Sequence, residues 1–166
     1  MGKIYINRSN ILTSFGLSVD TNWEQLVLGN SAVSKIDSFG HLKNFYAGQI
    51  DENIFRNIKN QIINNEKYTR LEIIGISSLF QIIDKSKINS RTGFVLSTTK
   101  GNINQISNSL EEASISLFAQ KIADYFGFET EPIIVSNACV SGVLAVNIAK
   151  RFIEMDFFDE VYVLAL

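Results

Sequence analysis

The apolar residues change period along the chain, and each change marks an element. Residues 3 to 6, KIYI, are a short β-prone run; after the turn-prone NRSN the chain resumes with ILTSFG, apolar and ending in glycine. Thr21 and Glu24 have capping-box spacing around Trp23 and ahead of Leu26 and Val27, and Gly29 stands where a short helix would stop. From Asp51 the set Ile54, Phe55, Ile58 and Ile62 recurs about once per helical turn, which predicts a helix to about Asn65. Thr69 and Glu72 repeat the capping box. The helix they start would carry Leu71, Ile74, Ile76, Leu79, Phe80 and Ile83, an apolar surface so broad that only a well-covered helix tolerates it.

The second half alternates more plainly. GFVLSTT, residues 93 to 99, is a continuous β-prone run that ends polar, as expected of a buried strand delivering a loop to a surface. Ser109 and Glu112 are spaced to cap a helix through Ile122 to Phe126, closed by Gly127. EPIIVSN at 131 to 137 predicts another short buried strand, ACVSGVLAVNIAKRFIEM a helix, and VYVLAL at 161 to 166 a final strand. Strands alternating with helices imply an α/β fold with a largely parallel or mixed sheet covered on both faces. A run that stops on an apolar strand, with no polar tail, is expected to be covered or continued by something further.

Composition narrows the function classes. The 166 residues are 46% hydrophobic and 19% charged, which suits one globular domain able to bury a core without disulfides. A net charge of −2 exerts no pull toward phosphate backbones or anionic lipid, which argues against a nucleic-acid role. No apolar run follows Lys3, and no stretch approaches the roughly 18 apolar residues of a membrane span, so the chain is read as cytoplasmic. One Cys and one His are too few for a structural zinc site by themselves. The Phe126/Phe128 and Phe157/Phe158 pairs are read as packing, and Lys100 as a loop-surface residue, since the phosphate-loop pattern is absent around TTKG.

Chemistry concentrates at IIVSNACVSGVLAV, residues 133 to 146, where Cys139 falls at the first turn of a helix that follows a buried strand. Backbone N–H groups at a helix amino terminus favour the anionic form of a thiol placed there, and the thiolate is the nucleophile of acyl transfer. The same groups can hold the negative charge that develops on a thioester carbonyl under attack. Ala138, Ser141 and Gly142 keep the surroundings small, which suits a substrate's approach but equally suits plain helix packing. A lone Cys in an apolar setting is also the ordinary mark of a small buried hydrophobe, and placement alone leaves both readings open.

The stretch VSNACVSGVLAVNIAKRFIEMDFFDEVYVLAL resembles the active-site region of β-ketoacyl-acyl-carrier-protein synthases, condensing enzymes of thiolase fold. ILTSFGLSVDTNWEQLVLGNSAV resembles that family's early turn and first helix, FYAGQID and YTRLEIIGISSLFQIIDKSKI its next strand region and long helix, and LSTTKGNI the strand and loop preceding the nucleophile. The resemblance implies one half of a duplicated fold: a mixed five-stranded sheet with helices on both faces, residues 1–166 being a single amino-terminal domain without its carboxy-terminal half. It implies that Cys139 accepts an acyl chain from the phosphopantetheine arm of acyl carrier protein, with no other cofactor and no metal. A malonyl-carrier protein would then lose carbon dioxide and attack the acyl-Cys thioester. It further implies Thr98, Thr99 and Ala138 as substrate-lining positions, and a homodimer or a heterodimer with a synthase subunit as the assembly, in fatty-acid or polyketide-type biosynthesis. The two histidines that usually assist the second step belong to the half absent here; His41, in a loop region, matches neither. Two alternatives stay open: a non-catalytic partner like a chain-length factor, which generally lacks the Cys, and a self-contained α/β binding domain.

Overall fold

GFVLS becomes the centre of the molecule. In a computed structural model, which describes residues 3–166, it forms β3 (Thr92–Ser97), with every residue buried. A strand buried on both faces must be largely apolar and must find partners at both edges; β3 does so in parallel, with Thr92 and Ser97 as buried polar ends. It pairs with β4 (Ile133–Val135) on one side and β5 (Glu160–Ala165) on the other, giving the order β4-β3-β5. The remaining strands, β1 (Val33–Phe39) and β2 (Leu42–Gly48), form a separate antiparallel hairpin. Among the described residues five strands are thus present, divided three and two between separate sheets.

Helices cover both faces of the parallel sheet, as an α/β chain requires. On one face α3 (Arg70–Leu79) and α4 (Ile115–Phe126) pack Ile73, Ile76, Phe118 and Ile122 against Phe94, Leu96, Tyr162 and Leu164. Ile58 of α2 (Glu52–Asn60) joins that cluster, whereas α1 (Val19–Val27) buries only Asn22. On the other face α5 (Ser141–Glu154) lays Ala145 and Ala149 on Val95 and Val135. Small residues there bring the helix close. Gly93 does the same for an aromatic ring: a Cβ on it would lie 2.6 Å from Phe158.

Several boundaries differ from the sequence expectation, each for a local reason. KIYI is not a strand; Tyr5 and Ile6 are exposed and no strand lies beside them to accept their backbone. The cap of α1 is Ser18, whose Oγ accepts the Thr21 N–H at 3.2 Å, so Thr21 sits inside the helix. Ser109 accepts the N–H groups of Glu111 and Glu112, but the turn goes no further because Leu110 is exposed with nothing to cover it. Helix α4 starts after Ser114, which caps Leu117 N–H, and closes at Gly127 in the left-handed conformation as expected. Helix α2 ends at Asn60, short of Asn65. The capping box of Thr69 and Glu72 is present in full. Gly40 and His41 form the tip of the β1–β2 hairpin, which places the only histidine exposed at a turn.

The surface is large for the mass. Accessible area is 10680 Å² for 18.6 kDa, where a compact monomer of that mass exposes about 8200 Å². No helix among the described residues is long and apolar enough to cross a membrane.

Candidate functional site

Parallel strands deliver their loops to a common edge, and ligands of open α/β sheets bind at the carboxyl ends of the strands. Here β3 and β4 end in register, Ser97 beside Val135. The ladder continues one step beyond: Thr98 N–H donates to Val135 O at 3.3 Å and Leu166 N–H to Ser97 O at 2.9 Å. Three segments therefore share one edge of the sheet: the loop after β3, the turn after β4 and the end of β5.

The turn after β4 carries Cys139. Between Asn137 and Ser141 the chain makes one 3₁₀ turn, Ala138–Val140, and Cys139 is its middle residue, a free and exposed thiol. Ala138 enters this turn at φ +45°, a region that L-residues rarely occupy. Strain of this kind persists only where neighbours hold it, and Ser141 is the holder. Its buried Oγ accepts the Asn137 N–H at 2.7 Å and donates to Ala138 O at 2.7 Å, bracing the turn from inside. No side chain caps the start of α5. The Cys139 backbone N–H has no partner among the described residues, so a donor stands free beside the sulfur-bearing carbon.

The loop after β3 is built differently. Thr98 is buried and its Oγ1 accepts the N–H groups of Lys100 and Gly101 at 3.4 and 3.5 Å, folding the loop back on itself. Thr99 and Lys100 are exposed on the outside of that bend. Of the expected site residues, Cys139, Ala138 and Thr99 thus lie at the surface of one sheet edge, and Thr98 holds the loop from within.

One set of residues at this edge went unforeseen. Asn102, which is buried, donates Nδ2 to Glu72 Oε1 at 2.7 Å and accepts the Thr69 hydroxyl at 2.8 Å. Glu72 is 0% exposed and also accepts the Thr69 N–H at 2.7 Å and pairs with Lys121 at 3.2 Å. A buried carboxylate with that many donors is a fastener: it ties the loop after β3 to the first turn of α3 and to α4. The capping-box spacing pointed to Glu72, but nothing in the sequence pointed to Asn102, 30 positions away.

No family model matches the chain, and no curated protein matches it. Solved structures do. The ishigamide ketosynthase/chain length factor superposes with TM-score 0.73 at 17% identity, over 88% of this chain and 47% of that one. An oxazolomycin ketosynthase domain from Streptomyces albus matches with TM-score 0.57 at 16% identity, covering 84% of this chain and 31% of that one. A β-ketoacyl synthase from Burkholderia phymatum matches with TM-score 0.54 at 19% identity, over 88% of this chain and 42% of that one. The chain spans less than half the length of each, and its fold is the α/β, thiolase-like fold of ketosynthases.

Proposed function

We propose that this chain is the amino-terminal half of a β-ketoacyl-acyl-carrier-protein synthase and that Cys139 is its acyl-accepting nucleophile. The observation that carries the reading is an exposed, free thiol on a strained turn between a buried strand and a helix, at the carboxyl edge of a parallel sheet. In the transfer step the Cys139 thiolate attacks the thioester carbon of an acyl chain on carrier-protein phosphopantetheine. A sulfur–carbon bond forms to Cys139, the bond to the pantetheine sulfur breaks, and the carrier thiol leaves with a proton. In this reading the free Cys139 N–H holds the oxyanion formed on the way. Condensation, in which malonyl-carrier protein loses carbon dioxide and its carbanion displaces Cys139, calls for acid–base groups that the proposed second half would supply. His41, at the tip of a hairpin, takes no part in this proposal.

The test is mass spectrometry after exposure to acylated carrier protein. Acyl mass on the Cys139 peptide, lost in Cys139→Ser, is expected. An unmodified Cys139 that still reacts with a small thiol reagent would refute the assignment.

A second reading, a chain-length-factor-like partner of a synthase, draws support from the combined ketosynthase/chain length factor among the matched structures. Co-purification with a synthase whose activity survives Cys139→Ala would favour it. Under both readings the proposed assembly is a dimer, of like or unlike subunits, that engages acyl carrier protein.

A further inference from the structure

The three segments at the Cys139 edge carry a single charged side chain between them. Residues 136 to 141 after β4 have none, Ala165 and Leu166 at the end of β5 have none, and Thr98 to Asn102 have Lys100. Among the described residues Lys100 has no salt-bridge partner. The exposed residues across the edge, Asn137, Ala138, Val140 and Val143, are neutral. The loop that presents Lys100 is fixed from below. Thr98 Oγ1 accepts the Lys100 N–H itself at 3.4 Å, Gly101 turns the chain at φ +56° where a Cβ would lie 3.0 Å from Ile115, and Asn102 Nδ2 donates to the buried Glu72 at 2.7 Å. An apolar anchor would hold this loop at a smaller desolvation cost, whereas directional hydrogen bonds also fix where its tip stands. Adjacent strands run ~4.8 Å apart. Lys100 lies two residues beyond Thr98, whose N–H makes the last bond to β4 at Val135 O, so its flexible stem sweeps the edge that carries Cys139.

We propose that Lys100 is a specificity-determining residue of this site: its ammonium holds a carboxylate at the distal end of the acyl group transferred to Cys139, so that the preferred donor is a short dicarboxylic acyl thioester. The inference rests on the acyl-transfer reading and names its substrate class. The bonds made and broken are those of the transfer step above, and the distal carboxylate is held without reacting. It stays on the transferred group, unlike the malonyl carboxylate, which leaves as carbon dioxide in the second step. A single cation on an otherwise neutral edge discriminates by charge: an acyl group ending in a methyl gains nothing from it, and one ending in a carboxylate gains an ion pair. The phosphate of the carrier arm is the competing anion. It lies at the far end of the pantetheine from the reacting carbon, whereas Lys100 stands on the strand edge next to the one that bears the nucleophile. Thr99, exposed beside Lys100, offers a hydroxyl to the same carboxylate.

Two measurements on the 166-residue chain test it, and its single Cys makes both report on residue 139. The first compares alkylation by iodoacetate and by iodoacetamide, which differ in a carboxylate against a neutral amide; their rate ratio cancels any change in thiolate fraction. That ratio should fall about threefold in Lys100→Met, recover in Lys100→Arg and fall further in Lys100→Glu, and added salt should erase the difference between parent and Lys100→Met. A ratio indifferent to all three substitutions overturns the proposal and leaves the nucleophile assignment standing. The second follows acylation by succinyl- and butyryl-N-acetylcysteamine, thioesters of equal acyl length that lack the arm's phosphate. The parent should favour succinyl, and Lys100→Met should lower the succinyl-to-butyryl ratio about threefold. Equal transfer of both by the parent overturns the substrate class. If Lys100→Met slows only donors built on phosphopantetheine, the cation serves the arm's phosphate and the proposal is wrong. If neither thioester acylates Cys139 while the alkylation ratio still follows Lys100, the acyl-transfer reading fails and takes the substrate class with it.

Discussion

Ala138 is where a single side chain meets the geometry that exposes Cys139. At φ +45° an alanine is tolerated and a β-branched residue is not. Ala138→Val should lower stability by about 1–2 kcal/mol in urea unfolding, whereas Ala138→Gly should leave it within about 1 kcal/mol of the parent. A valine tolerated without loss would mean that the turn relaxes out of the left-handed region. Glu72 makes a sharper case. Removing its carboxylate as Glu72→Ala strands Asn102, the Thr69 N–H and Lys121, and should lower stability by about 3–5 kcal/mol. A loss below 1 kcal/mol in the same unfolding measurement would show that water replaces the network.

At the scale of elements, the chain used its sequence signals unevenly. β3 and the α3 capping box were legible because one mechanism, continuous burial or reciprocal capping, dominated each, and β5 because its apolar run VYVLAL is unbroken although only Tyr162 and Leu164 are buried. The start of α4 was misread because Ser109 and Ser114 both cap, and only the apolar face beginning at Ile115 decides between them. Of the β1–β2 hairpin only FYAGQID stood out, as a strand region by resemblance; the apolar pattern itself is weak because only Ile36, Phe45 and Ala47 are half-buried. Cys139 was legible as a residue at a strand–helix junction. The strain at Ala138 and the brace from Ser141 were not, since both depend on backbone angles that a junction can take or avoid.

A polar clamp joins two of these elements. Arg91 ahead of β3 holds Asp156 and Asp159, between α5 and β5, at 2.6 and 2.7 Å. Hydrogen bonding to Arg91 draws the Asp159 carboxyl below its ordinary 3.8. A lowered folded-state value means that the stabilisation is present above about 3.8 and is lost as pH falls through the lower folded value. The stability gap between the parent and Arg91→Gln should therefore persist at neutral pH and close below pH 3.8, and closing on the alkaline side instead would contradict the clamp. Because all three side chains are substantially exposed, salt should shrink the gap as well.

For the whole molecule, the excess of accessible surface is the governing fact. About 2400 Å² beyond the expectation for a compact monomer exceeds what a standard interface takes from one partner. Part of it lies along α5, where Val143 is 78% exposed and Met155 72%. Sedimentation velocity should show concentration-dependent association of the chain alone, and Val143→Asp should move it toward monomer. A monomer at all concentrations would leave the exposed α5 face unexplained as an interface.

The order β4-β3-β5 also dictates when the sheet can close. Arg91 and Asp159, at the start of the β3–β5 pairing, are 68 residues apart. At a synthesis rate of ~5–20 residues per second, the most buried strand of the chain leaves the ribosome about 3–14 s before its longer partner exists. During that interval β3 has only local helices and the three-residue β4 to shield it, so a nascent chain stalled between α4 and β5 is the species most at risk of capture by chaperones or by aggregation.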